Sequence, residues 1–143
     1  MIDEIKKWRE EFNIQTAPDP AKRMFSEEID ELVDAYIAHD KAMREGDERR
    51  ITTTKVDLAF EAADVLFVLV QLCDAYGIDL QRAVQDVLRS NYSKRMTAEQ
   101  YQENKYLIKS DAEAVMRGGY VYLYKDGKLQ KPPTFKAKIW TSQ

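Results

Sequence analysis

The sequence predicts an all-α fold: four to five helices in an antiparallel bundle, followed by a small β-hairpin. The first observation is the helical spacing of apolar residues through most of residues 2–117. The second is a nearly continuous apolar segment, 56–73, which is typical of a helix surrounded by protein. The third is residues 120–131, in which alternating tyrosines are followed by Asp126-Gly127, a pair that favours a hairpin turn.

The first two helices follow from apolar spacing and proline position. Residues 2–12 place apolar side chains on one helical face, and 13–19 form a linker. Asp19 is expected to be the N-cap of the second helix and Pro20 its first residue. This helix is predicted to end near Arg44.

Residues 44–55 are polar and are predicted to be a mobile connection to the buried helix 56–73. Gly77 is the expected stop of that helix, and Asp79 the expected cap of the next. The core-facing stripe of this next helix is predicted to contain Leu80, Ala83, Val84, Val87 and Leu88.

Two capping-box patterns predict two further short helices. They are Thr97-x-x-Gln100 and Ser110-x-x-Glu113. We therefore expect one domain over 1–143, with a helical core to about residue 117 and a hairpin and tail over 118–143.

Composition excludes several classes of protein. The net charge of −3 shows no basic excess, so no nucleic-acid partner is expected. No apolar stretch is long enough to cross a membrane, and the N-terminal MIDEIKKW lacks the apolar region of a signal peptide. A single cysteine, Cys73, fits a reducing cytoplasm, and a single histidine, His39, excludes an all-histidine zinc site.

Two pairs of acids lie on apolar helical seams. Glu28 and Glu31 are three residues apart on the second helix, and Glu61 and Asp64 are three apart on the apolar helix. If these neighbouring helices are antiparallel, the four carboxylates converge away from water and raise one another's pKa. A divalent cation relieves the repulsion, and ligands that are all oxygen favour Mg²⁺ or Mn²⁺.

Two alternatives remain open for the acids. They can be solvated surface groups whose spacing is accidental, or members of structural salt bridges with Lys94 or Arg95. Asn91, Lys94 and Arg95 continue the stripe of the third long helix and suit a polyanion such as a phosphate chain. Lysines of the hairpin, including Lys128 and Lys131, suit the same ligand, although hairpin lysines also protect sheet edges.

These motifs resemble the all-α nucleoside triphosphate pyrophosphohydrolases, the superfamily of MazG, dimeric dUTPases and phosphoribosyl-ATP pyrophosphohydrolases. Residues 27–31 (EEIDE) and 61–64 (EAAD) are similar to its EExxE…ExxD signature. Residues 91–94 (NYSK) resemble the N-x-S-K that follows the third helix, and 126–133 (DGKLQKPP) the D-G-K-x-x-K-x-P tail of some members.

The resemblance implies a Mg²⁺-dependent enzyme that converts a nucleoside triphosphate to a monophosphate and pyrophosphate. It implies Glu28, Glu31, Glu61 and Asp64 as metal ligands, with Glu27 orienting water or binding a second metal. It implies contacts to the substrate phosphates from Asn91 and Lys94, and the charge of Arg95, Lys128 and Lys131 adds these three as further candidate contacts. It also implies a homodimer or homotetramer. The alternatives are a dUTPase-like or phosphoribosyl-ATP pyrophosphohydrolase, and a non-catalytic helical protein that binds nucleotides or a partner.

Overall fold

The computed structural model describes residues 1–140, so residues 141–143 of the predicted tail lie outside the described range. The chain divides into two compact units, Met1–Leu80 and Gln81–Gln143. The described part is mostly helical and carries a small antiparallel sheet in the second unit. The all-α prediction is therefore confirmed in its main feature, while the association of the helices into one bundle stays a prediction.

The first unit contains three helices: α1 (Ile2–Glu11), α2 (Pro18–Glu45) and α3 (Glu48–Ala75). Trp8 of α1 packs edge-on against Phe67 of α3, with ring centroids 5.3 Å apart. The buried Arg9 guanidinium forms an ion pair with Asp74 at the end of α3. These contacts hold α1 against the C-terminal half of α3.

The pairing of α2 with α3 is antiparallel, as expected. Near one end, the Gln71 side chain of α3 donates to Thr16 at 2.8 Å and contacts Met24 at the beginning of α2. Near the other end, His39 Nδ1 lies 2.9 Å from Thr54 Oγ1. The acidic segments of the two helices lie between these contacts.

The predicted start of α2 was wrong by two residues. The helix begins at Pro18, and Ala17 is its N-cap in an extended conformation. An extended residue is what steric contact with a following proline favours, and a proline is tolerated anywhere in the first turn, whose N–H groups have no helical partner. Pro18 and Pro20 are thus both compatible with the start of this helix.

The predicted mobile connection over 44–55 was also wrong, since only Gly46 and Asp47 separate the two helices. Gly46 adopts a left-handed conformation (φ 69°) that ends α2. Asp47 then caps α3, because its Oδ1 accepts from the Arg50 amide at 3.2 Å. The polar residues 48–55 form the first two turns of α3.

The apolar segment 56–73 is not surrounded by protein in this chain. Burial is confined to its C-terminal half, at Val68, Val70, Gln71 and Cys73. Phe60, in its N-terminal half, is 66% exposed. Pairing with α2 covers only one side of the helix, so the expectation of all-round burial was wrong.

Helix α4 (Leu80–Tyr92) follows Asp79 directly and, apart from Leu80, belongs to the second unit. Its orientation differs from the prediction, since the buried side chains are Asp86 and Ser90. The apolar stripe expected to face the core is largely exposed at Val84, Val87 and Leu88.

A short strand, β1 (Met96–Thr97), and helix α5 (Ala98–Asn104) follow. The capping box at Thr97 and Gln100 is confirmed, with both reciprocal hydrogen bonds present. The second predicted capping box was wrong, because Ser110 precedes a strand, β2 (Glu113–Arg117), in place of a helix. Pairing with the next strand outweighs the local helix signal there.

The predicted hairpin is confirmed as β3 (Tyr120–Lys125) and β4 (Lys128–Leu129), with positive φ at both Asp126 and Gly127. It belongs to a larger sheet, in which β3 pairs with β2 along one edge and with β1 and β4 along the other. Met96, Val121 and Leu123 form the core beneath this sheet. No helix within residues 1–140 has the length and apolar content that crossing a bilayer requires.

Candidate metal and active site

The candidate site lies between α2 and α3. Glu28 and Glu31 of α2 and Glu61 of α3 each place a carboxylate oxygen within 4.8 Å of the other two. The spacing of three residues puts both α2 acids on one helical face, and the antiparallel pairing brings that face to Glu61. The two helices thus bring three of the four predicted metal ligands together.

Asp64, the fourth predicted ligand, is exposed and lies outside this close group. Its negative charge nevertheless acts on both Glu28 and Glu61. Burial of the site is also less complete than the sequence suggested, since Glu28 and Glu61 are half-buried and Glu31 is exposed. The cluster therefore faces a solvent-accessible opening, as a site that admits a substrate must.

Glu28 and Glu61 have raised pKa values. Loss of hydration at partly buried positions is the largest cause for each carboxyl, and the negative charge of Glu31 is the next. One oxygen of each, Oε2, is buried without a hydrogen-bond partner. Such an orphaned carboxylate oxygen is costly unless something binds it.

The donor set fits a hard divalent cation. All the candidate ligand atoms are carboxylate oxygens, and Glu28 and Glu61 each have one buried oxygen without a hydrogen-bond partner. In residues 1–140, no lysine or arginine forms an ion pair with Glu28, Glu31, Glu61 or Asp64. Mg²⁺ and Mn²⁺ prefer such ligands, whereas zinc sites usually include nitrogen or sulfur.

A groove of about 490 Å³ opens beside the cluster. Besides Glu31 and Glu61, it is lined by Asp34, Asp57 and Phe60. Neither Asp34 nor Asp57 is among the metal ligands expected from the sequence. A signal was present, because Asp34 lies three residues after Glu31 and Asp57 four before Glu61, which are same-face spacings.

Glu27, the predicted catalytic partner, is exposed and lies outside the close group of three. The predicted phosphate contacts all belong to the second unit. Asn91 is exposed near the end of α4, and Lys94 and Arg95 are half-buried in the turn after it. Lys128 and Lys131 line a groove of about 610 Å³ in the second unit, together with residues around Ile108 and Pro132.

The comparisons with known proteins agree with this picture. Residues 1–91 match the model of the phosphoribosyl-ATP pyrophosphohydrolase family. No curated protein and no solved structure matches the chain. The matched residues include the whole acidic cluster and α1 to α3, and they amount to more than half of the sequence. The chain therefore belongs to the phosphoribosyl-ATP pyrophosphohydrolase family, within the MazG-like superfamily of enzymes that hydrolyse phosphoanhydride bonds.

Proposed function

We propose that the protein is a Mg²⁺-dependent nucleoside triphosphate pyrophosphohydrolase that releases a nucleoside monophosphate and pyrophosphate. The observation that carries the proposal is the cluster of Glu28, Glu31 and Glu61, in which two buried oxygens lack a partner. Pyrophosphohydrolase chemistry is the activity class of the family. The proposal covers both ribonucleoside and deoxyribonucleoside triphosphates.

Glu28, Glu31 and Glu61 would hold the cation, and Asp64 would complete the set. The ion, Mg²⁺ or Mn²⁺, supplies positive charge and Lewis acidity to the phosphate chain. In the proposal, Glu27 orients the attacking water and accepts its proton. The chain has no glycine-rich phosphate loop, so phosphate binding falls to side chains.

The proposed phosphate contacts are Asn91, Lys94, Arg95, Lys128 and Lys131. Their cationic groups offset the charge of the substrate and of the departing pyrophosphate. For Lys94 we expect Lys94→Gln to raise KM for the triphosphate, because it removes one positive charge. Lys138→Gln, at an exposed lysine outside this set, serves as the matched control in the same steady-state assay.

Phosphoribosyl-ATP is a second candidate substrate. The match of residues 1–91 to that family model favours it. A panel of nucleoside triphosphates together with phosphoribosyl-ATP, assayed for released pyrophosphate in Mg²⁺, separates the two candidates. The preferred substrate is the one with the highest kcat/KM.

The proposal is tested by Glu61→Gln, which removes one negative ligand and keeps the side-chain shape. We expect loss of turnover with a folded protein. Asp30→Asn, at an exposed acid of α2 outside the cluster, should retain full activity. Pyrophosphate release by Glu61→Gln at the rate of the unmodified enzyme would refute the assignment.

We further propose that the protein works as a homodimer or homotetramer. The support is the exposed apolar surface on α3 and α4, including Phe60 and Leu88, which is unusual for a monomer of this size. A second copy would cover surface of this kind.

A further inference from the structure

The two units of the chain carry opposite charge. Met1–Leu80 contains 10 lysines and arginines against 19 acids, a net charge of −9. Gln81–Gln143 contains 12 against six, a net charge of +6. The second unit also contains six of the eight tyrosines. These opposite charges sum to the whole-chain charge of −3. The expectation that no nucleic acid binds was based on that sum and did not take the positive second unit into account.

The aromatic residues of the second unit lie together on its sheet. Tyr120, Tyr122 and Tyr124 alternate along β3 with the buried Val121 and Leu123. In a strand, residues two apart project from the same face. The three tyrosines therefore form a row on the face opposite the core.

Two arginines interleave with this row. The Arg95 guanidinium lies 3.6 Å from the ring centroid of Tyr120 and donates to the Tyr122 hydroxyl at 3.2 Å. The Arg117 guanidinium lies 4.7 Å from the centroid of Tyr122 and donates to the Tyr124 hydroxyl. Arg95, Arg117, Tyr120, Tyr122 and Tyr124 form a continuous series that we call the Arg–Tyr ladder.

Neither arginine of the ladder is neutralised by an acid. In the described part of the chain, no carboxylate forms an ion pair with Arg95 or Arg117. Each guanidinium has five N–H donors in a planar fork, and the hydrogen bond to a tyrosine hydroxyl occupies one of them. The ladder thus combines aromatic faces with two cations that retain donors for an anion.

The spacing suits a chain of stacked bases. Residues two apart on a strand are separated by about 6.6 Å, so the three tyrosines span about 13 Å. This length exceeds one nucleotide and corresponds to a short extended single strand. Proteins that bind single strands combine such aromatic platforms with cations along the backbone.

We propose that the Arg–Tyr ladder binds single-stranded nucleic acid, with bases stacked on the outer side of its guanidinium–tyrosine pairs and a phosphate paired to Arg117. Arg95, which is also a proposed contact of the nucleotide substrate, serves here as a stacking plane. The ladder lies between residues 95 and 124, beyond the residues that match the family model. A duplex is a poor ligand because its bases are already stacked and paired internally. The activity is additional to pyrophosphate release.

The experiment measures the fluorescence anisotropy of a labelled oligothymidylate titrated with the full-length protein at about 50 mM salt without divalent ions. The test variants are Arg117→Gln and Tyr124→Leu, because neither residue belongs to the proposed catalytic or substrate-binding set. Their controls are Arg49→Gln on α3 and Tyr106→Leu, which remove an exposed arginine and an exposed tyrosine outside the ladder. Tyr124→Phe keeps the ring and is the conservative variant.

We expect the unmodified protein to bind, and Arg117→Gln and Tyr124→Leu to weaken binding by about fivefold or more each. Tyr124→Phe and both controls should retain binding, and pyrophosphate release should be unchanged in all five. The duplex of the same sequence should bind much more weakly than the single strand.

Several outcomes would overturn the proposal. They are an absence of binding, equal binding of duplex and single strand, and equal weakening by the ladder and control variants. Full displacement of the oligonucleotide by an equal concentration of free thymidine triphosphate would assign the ladder to the substrate. Loss of self-association in Arg117→Gln, with no change in oligonucleotide binding, would assign it to a second copy of the chain. Because hydrolysis is measured separately, failure of this proposal can be distinguished from failure of the proposed function.

Discussion

Two carboxyl groups, Glu28 and Glu61, combine partial burial, a raised pKa and an oxygen without a hydrogen-bond partner. Each feature alone has ordinary explanations, such as an imperfect surface contact. Together they describe a pair of acids held close to further negative charge, which is the condition that a bound cation relieves. At the scale of single residues, the proposed metal site rests on these two carboxyl groups.

The raised pKa values predict an effect of pH on stability in the metal-free protein. The ordinary pKa of both groups is 4.5. At pH values between 4.5 and the raised pKa, Glu28 and Glu61 hold more protons in the folded state than in the unfolded state. The free energy of unfolding contributed by these groups therefore falls as pH rises through that interval.

The matched variant is Glu28→Gln combined with Glu61→Gln, which imitates the protonated pair. In the presence of a metal chelator, we expect this variant to have a higher free energy of unfolding than the unmodified protein at about pH 7. The difference in free energy should shrink as the pH is lowered toward 4.5. Urea denaturation at several pH values measures this. A difference that is constant with pH would contradict the assigned cause.

Sequence spacing predicted correctly that Glu28, Glu31 and Glu61 come together, because i, i+3 pairs share a face whatever the remaining fold. It did not predict how far Asp64 stands from Glu28, Glu31 and Glu61, or that Asp34 lines the same groove. Those positions depend on the rotation and axial offset of α2 against α3, which are set by packing along both helices.

The α2–α3 hairpin is the element that builds the site, and its turn is only two residues long. Gly46 ends one helix and Asp47 caps the next. A short turn limits the axial offset between the helices, and so determines which residues of α2 lie opposite Glu61. The polar composition of 44–55 suggested a loop, whereas helix capping extends both helices almost to the turn.

Removal of the cap should weaken this element. We expect Asp47→Ala to lower the free energy of unfolding by about 1 kcal/mol, because the Arg50 amide loses its acceptor. Asp47→Asn keeps an acceptor oxygen and should have a much smaller effect. Thermal or urea denaturation of the two variants provides the comparison, and equal losses would show that the cap is not the cause.

The β-sheet shows which elements the local sequence pattern predicts correctly and which it does not. The Asp126-Gly127 turn has a strong local preference and was predicted correctly. The strand β2 was predicted as a helix, because the Ser110 and Glu113 pattern imitates a capping box. Its extended conformation depends on pairing with β3, a contact that local propensity does not contain.

At the scale of the whole molecule, the chain leaves much apolar surface uncovered. α4 exposes Val84, Val87 and Leu88 on one stripe, although Asp86 and Ser90 of the same helix are buried. The sequence predicted the stripe itself but placed it in the core of this chain. Periodicity identifies the apolar face of a helix without saying which molecule covers it.

This surface predicts an effect on assembly. We expect Leu88→Asp to reduce the oligomeric state, because it places a charge in the apolar stripe, where Leu88 is 49% exposed in the single chain. Gln85→Asp, at an exposed polar position of the same helix, adds the same charge off the stripe and should leave assembly unchanged. Light scattering after size-exclusion chromatography measures both, and an unaltered mass for Leu88→Asp would place the interface elsewhere.

The most direct test of the central claim is the thermal unfolding midpoint with and without Mg²⁺, measured for the unmodified protein and for Glu28→Gln. A cation that binds the folded state and is held by Glu28, Glu31 and Glu61 raises the midpoint with increasing concentration. We expect such a rise in the unmodified protein and a much smaller one in Glu28→Gln. An unmodified protein whose midpoint does not respond to Mg²⁺, or a variant that responds equally, would contradict the claim that these carboxylates form a metal site.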